Sequence, residues 1–320
     1  MNSPRGLLLA LAAVLPAAAS AALTPIPAGH DADLRVFRRD AAPLSGTPAL
    51  ELMSAGVDLD LWLAGNQFFA MADAARAFFK SHPKISSIGV ITLPPGLIAQ
   101  AVENGGWTYA GKSYRMRPDL YATVDLAHLR ALKKAGLAKD YRVYLHNELA
   151  LMVARGNPKK VRGIDDLARA DLRVELPNPV DEGIMSVYGR QVLERHGLWK
   201  TLGGDRDCRA CRPIARVYFT AVHHREIPAD ISAGKADVGL VWRTEIGNAR
   251  AHKLPVSGVF LPPADSLRQQ VSYIISEISD ARASAREWLR FLYTGPARRA
   301  YAAHGFVPAE DKENLAVPIP

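Results

Sequence analysis

The chain is poor in cysteine and, past its start, in long apolar runs. Of 320 residues only Cys208 and Cys211 are cysteines, too few for a disulfide-built scaffold. After residue 21 no stretch approaches the roughly 20 apolar residues that a membrane helix needs. No G-x-S-x-G elbow, no H-E-x-x-H pair and no strand–P-loop–helix unit is read in it. The histidines and carboxylates fall at no catalytic spacing, and no enzyme is expected. Internal repeats and blocks of like charge are also missing. The net charge is +8, but the basic residues are dispersed, with only short runs such as Lys159-Lys160. Without a nucleic-acid motif this reads as a generally basic surface, not a DNA or RNA site.

What is present begins with an export signal. Arg5 supplies a charged start, GLLLALAAVL an apolar core and Ala19-Ser20-Ala21 a small-residue cleavage site, so residues 1–21 read as a signal peptide. No cysteine follows the cleavage position, which leaves lipid anchoring without support. A soluble periplasmic location is expected, and about 300 residues remain, enough for two lobes. Hydrophobic residues at 48% and charged residues at 22% make a globular balance. In that compartment the DCRACRP pair reads first as a local disulfide between Cys208 and Cys211. A redox role is the sharper alternative, a lone C-x-x-C is weak for zinc, and the absence of a following histidine removes covalent haem.

Residues 22–57 are expected to form a mixed N-terminal extension packed on the first lobe, with DLRVFRR as an edge strand and His30 at the surface. Next, DLDLWLA alternates as a strand, Gly65-Asn66 turns the chain and FFAMADAARAFF carries apolar residues at helical spacing. Asn66 thus stands at a helix start, either to cap it or to face a ligand. SSIGVITL and PPGLIAQAVENGG repeat the strand-to-helix order at Pro94-Pro95-Gly96. Residues 106–118, aromatic and basic, read as a hairpin that rims a cleft or covers a sheet edge. The most informative stretch is His223–Glu245: a short helix opened by Pro228 and closed by Gly234, then the buried strand VGLVW.

The ordered set LWLAGNQFFAMADAARAF, PPGLIAQAVENG, PDLYATVD, NELALMVARGNPKKVRGIDDLARADLRVEL, HHREIPADISAGKADVGLVW and AREWLRFLYTGPARRAYAAHGFVP resembles periplasmic solute-binding proteins of ABC importers, in the type II, molybdate-binding-like class. The likeness runs from about Val57 to Pro308. It implies an α/β fold of two lobes, each a mixed sheet flanked by helices, with two crossing strands as hinge. Residues 58–145 plus 273–320 would form lobe 1 and residues 146–272 lobe 2. It implies a monomer without a cofactor that traps a small ligand, first of all an oxyanion such as molybdate, tungstate or sulfate, for an ABC permease. Carried over position by position, the ligand site falls on Asn66, Pro95, Gly96, Glu182, Gly183, His224 and Trp242. Here Pro95-Gly96 offers no hydroxyl and Trp242 replaces a tyrosine. The Glu182 side chain either points away from the anion or marks a cation, a metal chelate or a polar organic ligand. A metal set of His223, His224 and Glu226 is the alternative. His224 is expected to face the cleft, His223 to be surface or packed, and His146 to be structural. A role in presenting ligand to a membrane sensor would leave the same sequence.

Overall fold

The computed structural model describes residues 22–320, so the apolar start read as an export signal lies outside the described residues. Two sheets organise the chain. Strands drawn from residues 34–146 and 272–318 build a nine-stranded sheet, and strands from residues 149–260 build a six-stranded one. No helix among the described residues is long and apolar enough to cross a membrane.

The first sheet owes its centre to Leu59–Trp62, whose four residues are all buried. The strand runs parallel to Ser87–Ile91 on one side and to Leu120–Thr123 on the other. A strand covered on both faces does not need the alternation seen in DLDLWLA. Asp60 is the cost of that burial. Burial, with Asp119 beside it, raises its pKa to about 7. After Trp62 a 3-10 turn, Gly65–Phe69, leads into the helix Met71–Ser81, and after Ile91 the helix Pro95–Asn104 opens with proline in its first turn. Both helices therefore start from the same edge of the sheet.

The lobes meet at a short crossing. Asp140–His146 pairs inside the first sheet and Leu149–Ala154 inside the second, with only Asn147 and Glu148 between them. The return passes from Val256–Phe260 in the second sheet to Ser272–Glu277 in the first. His146 is hydrogen-bonded there, its Nε2 3.0 Å from Glu313 Oε1.

Several local expectations differ from what the fold does. Leu34–Arg38 is no edge strand. It pairs antiparallel with Ser87–Ile91 and is itself flanked by Leu44–Ser45. The helix Thr47–Ala55 follows, so the extension is built into the first sheet rather than laid on it. Residues 106–118 do form a hairpin, Gly106–Tyr109 with Lys112–Arg115. It turns inward to the core: Trp107 is fully buried, with its ring 5.2 Å from that of Trp62. The string from Gly106 to Ser113 does carry the spacing G-x-x-x-x-G-K-S, yet as a hairpin it offers no helix start for a phosphate. Gly106 is required there, since a Cβ at its φ of +137° would lie 2.0 Å from the Tyr114 carbonyl oxygen. In the second lobe Ile164–Ala168 is a 3-10 turn. The segment after Glu182 opens with a π-helical turn, Ile184–Gly189, before the α-helix Arg190–Arg195. Cys208 and Cys211 are disulfide-bonded.

Candidate interlobe binding site

The stretch His223–Glu245 folds as its punctuation dictates. His223 precedes a 3-10 turn, His224–Glu226, which passes into the helix Ile227–Ser232 with Pro228 in its first turn. Gly234 takes a φ of +68° and Val238–Trp242 is a fully buried strand. Glu226 closes this start upon itself, its carboxylate accepting from the backbone N–H groups of Ala221, Val222 and His223 at 2.7–2.9 Å.

His224 is buried, not cleft-exposed as expected. Its Nδ1 donates to Glu182 Oε2 at 2.8 Å and its Nε2 to Glu245 Oε1 at 3.1 Å. All three side chains are 2–3% exposed. Burial alone would lower the imidazole pKa, but the two carboxylates overrule it and raise it to about 10. Glu182 mirrors this: burial would raise its pKa, and the imidazoles of His224 and His223 bring it down to about 2. The result is a carboxylate–imidazolium–carboxylate chain at the helix starts of the second lobe. The metal set His223, His224 and Glu226 is therefore not assembled. His224 uses both nitrogens as donors, and Glu226 is spent on backbone.

The other sequence-picked residues gather on the same seam. Asn66 is buried and neither caps its helix nor stands open. Its Nδ2 donates to the Tyr273 hydroxyl at 2.5 Å and lies 3.5 Å from Thr244 Oγ1. Gly96 donates its N–H to the Asp181 carbonyl at 3.2 Å, a bond between lobes that uses up this donor. Gly65 lies so close to the second lobe that a Cβ there would sit 3.1 Å from His223 Nδ1. Trp242 packs its ring 5.7 Å from Tyr188 and 6.2 Å from Tyr273. Two polar atoms of the seam, Glu182 Oε1 and His223 Nδ1, are buried without hydrogen-bond partners and 3.7 Å apart.

Residues of the extension complete the seam, and sequence reasoning missed them. Asp33 bonds His30 Nδ1 at 2.8 Å and pairs with the Arg225 guanidinium. Arg225 takes Asp33 Oδ1, while His223 Nε2 lies 3.2 Å from Oδ2, the same oxygen that bonds His30. Burial would raise the Asp33 pKa, but Arg225 and His223 hold it well below the ordinary carboxylate value. His30, expected at the surface, is half-buried, with its ring 5.1 Å from that of His223. The only available signal was the juxtaposition of His30, Asp33 and Arg35 just before an apolar alternation, in a segment that otherwise reads as loop.

Beside the seam a half-open cavity of about 710 Å3 lies between the lobes, lined from one side by Arg35, Phe68, Phe69 and His304 and from the other by Arg243, Arg250, His252 and Phe260.

The sequence profile of the bacterial extracellular solute-binding proteins matches residues 59–307. Molybdate-binding proteins of Mycobacterium bovis and Mycobacterium tuberculosis are 24% identical over 190 residues, 59% of this chain. The chain spans 65% of the length of these curated relatives. Among solved structures, the periplasmic molybdate-binding protein of Azotobacter vinelandii superposes with a TM-score of 0.60 at 19% identity, covering 79% of this chain and 100% of its own. The sulfate-binding protein SubI of Mycobacterium tuberculosis superposes with a TM-score of 0.61 at 20% identity, covering 81% and 89%. At such identities the structures speak for the two-lobed fold alone.

Proposed function

Because the chain belongs to the bacterial extracellular solute-binding protein family, we propose that it captures a small anionic solute between its two lobes and releases it to an ABC permease in the inner membrane. In this reading it is exported by its first 21 residues and works as a periplasmic monomer, without making or breaking a bond. The observation that carries it is convergence. Helix starts from both lobes, at Asn66, Gly96, Glu182-Gly183, His224 and Trp242, meet on one interlobe seam beside a cavity bearing arginines from both lobes. The molybdate- and sulfate-binding relatives favour an oxyanion as the solute class. The seam itself argues for modification of that class, because Glu182 already supplies a negative charge where the resemblance puts an anion.

A metal ion is the second reading, favoured by one observation. Ligand atoms of His30, Asp33 and His223 lie within 4.8 Å of one another. It ranks below anion capture because Arg225, paired with Asp33 and 3.0 Å from His223 Nε2, competes for the same atoms.

Thermal shift and native mass spectrometry of the mature chain with molybdate, tungstate, sulfate, small carboxylates and divalent metals test both. Stabilisation by anions that survives a chelator supports anion capture. Stabilisation only by a divalent metal moves the assignment to the metal, and no response to any solute ends the capture reading.

A further inference from the structure

Resting on the capture reading, we infer that the solute sits in the cavity beside the seam and is an organic dianion with a flat apolar body, of the aromatic dicarboxylate class. Two cation–aromatic pairs face this cavity, one from each lobe. On the first lobe the Arg35 guanidinium lies 4.5 Å from the Phe37 ring and 5.6 Å from the Phe68 ring. On the second, Arg243 lies 4.9 Å and Arg250 6.0 Å from the Phe260 ring. Among the described residues that line the cavity, none carries a carboxylate side chain. Arg35 is half-buried, its pKa is lowered by that burial, and its guanidinium makes no hydrogen bond or ion pair among the described residues. A guanidinium taken partly out of water without an acceptor calls for an anion.

The rest of the wall agrees. Arg243 is held loosely, 3.3 Å from Glu148 Oε2, and Arg250 has only the ring. His304 is already bonded to Asp73 at 2.9 Å. The helices Arg243–Ala251 and Gly295–Ala302 end in this wall, and their partial negative ends are damped. Asn248 and Arg250 carbonyls take the N–H groups of His252 and Lys253, and Tyr301 and Ala302 carbonyls those of His304 and Gly305. Phe260 is 51% exposed, and with Phe68 and Phe69 it offers apolar faces between the two cationic ends. The volume falls in the range of roughly 300–1,000 Å3 typical of small-molecule sites. A bare tetrahedral oxyanion would leave most of it empty. Two anionic groups on a flat ring would reach both cationic pairs and place the ring between the phenylalanines.

Isothermal titration of the mature chain with isophthalate, succinate, benzoate and molybdate tests this. Isophthalate is expected to bind more tightly than succinate or benzoate. Arg250→Gln, at an exposed position that leaves the fold intact, and Arg35→Gln should each weaken it about tenfold or more, as loss of a charge-assisted contact does. Far-UV circular dichroism and melting temperature verify that both variants fold. Isophthalate binding unchanged in both variants overturns the assignment. Binding of molybdate without isophthalate overturns it too, but leaves capture between the lobes standing. Silence from all four probes, with no thermal shift from the wider solute panel, removes the capture reading as well.

Discussion

At the helix starts, Glu182 and Glu245 close on His224, and Asn66 is tied to Tyr273. A little further along the same interlobe face, Arg35 and Arg250 project towards open space with aromatic rings beneath them and no carboxylate in the wall. One region has met its electrostatic needs from within the chain. The other has not. The first region arises from helices that begin at one edge of each sheet, the second from the ends of the helices Arg243–Ala251 and Gly295–Ala302 and from the strands that carry Arg35 and Phe260. The contrast teaches that a shared scaffold fixes where charge can gather, while a few side chains decide whether the charge is already satisfied or waits for a partner.

The strongest way to break the contrast is His224→Ala. It strips the cation from between two buried carboxylates and should cost about 3–5 kcal/mol in urea unfolding. The pH profile carries the same signature. The His224 pKa lies above its ordinary 6.5, so its contribution is complete below 6.5 and lost as pH rises through about 10. The Glu182 pKa lies below its ordinary 4.5, so its contribution is complete above 4.5 and lost as pH falls through about 2. Stability from this chain should therefore peak between 4.5 and 6.5, where both are fully effective. A flat difference between wild type and His224→Ala across pH would refute the ionic assignment.

Arg225 joins the two regions, paired with Asp33 and 4.9 Å from the Phe68 ring. Arg225→Ala should lower stability by about 1.5–3 kcal/mol and loosen lobe closure, seen as a larger radius of gyration in small-angle scattering. An unchanged radius would restrict the pair to stability alone. Glu182→Gln sharpens the contrast from the other side. Removing the resident negative charge should raise molybdate affinity about tenfold or more in titration calorimetry, and no gain would mean that shape, not charge, closes the seam. The smallest effect belongs to a feature outside both regions. Reducing Cys208–Cys211 opens a loop of sequence separation 3 and should cost about 2 kcal/mol or less, with solute binding unchanged.

Much of the scaffold was legible in the sequence. Pro95 and Pro228 in first turns, Gly105 and Gly234 at helix ends and the run VGLVW placed helices and strands where they occur, because these residues restrict the backbone locally. The extension was harder. LRVFR looks like an edge strand on its own, and only its pairing with Ser87–Ile91 and Leu44–Ser45 puts it inside the sheet. The site divided in the same way. Asn66, Gly96 and His224 could be picked from their positions next to helix starts and Trp242 from a strand exit, whereas Glu182 came only from the resemblance to the molybdate-binding-like class. Asp33 could not be picked, since its partner lies far away in sequence: 192 residues separate it from Arg225. His223-His224 illustrates the limit. Adjacent in sequence, one ring faces Asp33 of the first lobe and the other the Glu182–Glu245 pair of the second.

What the chain determined alone is its alternation of strands and helices, its short Asn147-Glu148 crossing and the helix starts that result, because turn residues and apolar spacing act within a few positions. What only tertiary structure decided is which charges meet. Coulombic pairing depends on distance in space: folding of the second lobe brought Glu182 to His224, closure of the lobes brought Asp33 to Arg225, and among the described residues Arg35 was left beside Phe68 with nothing negative to hold.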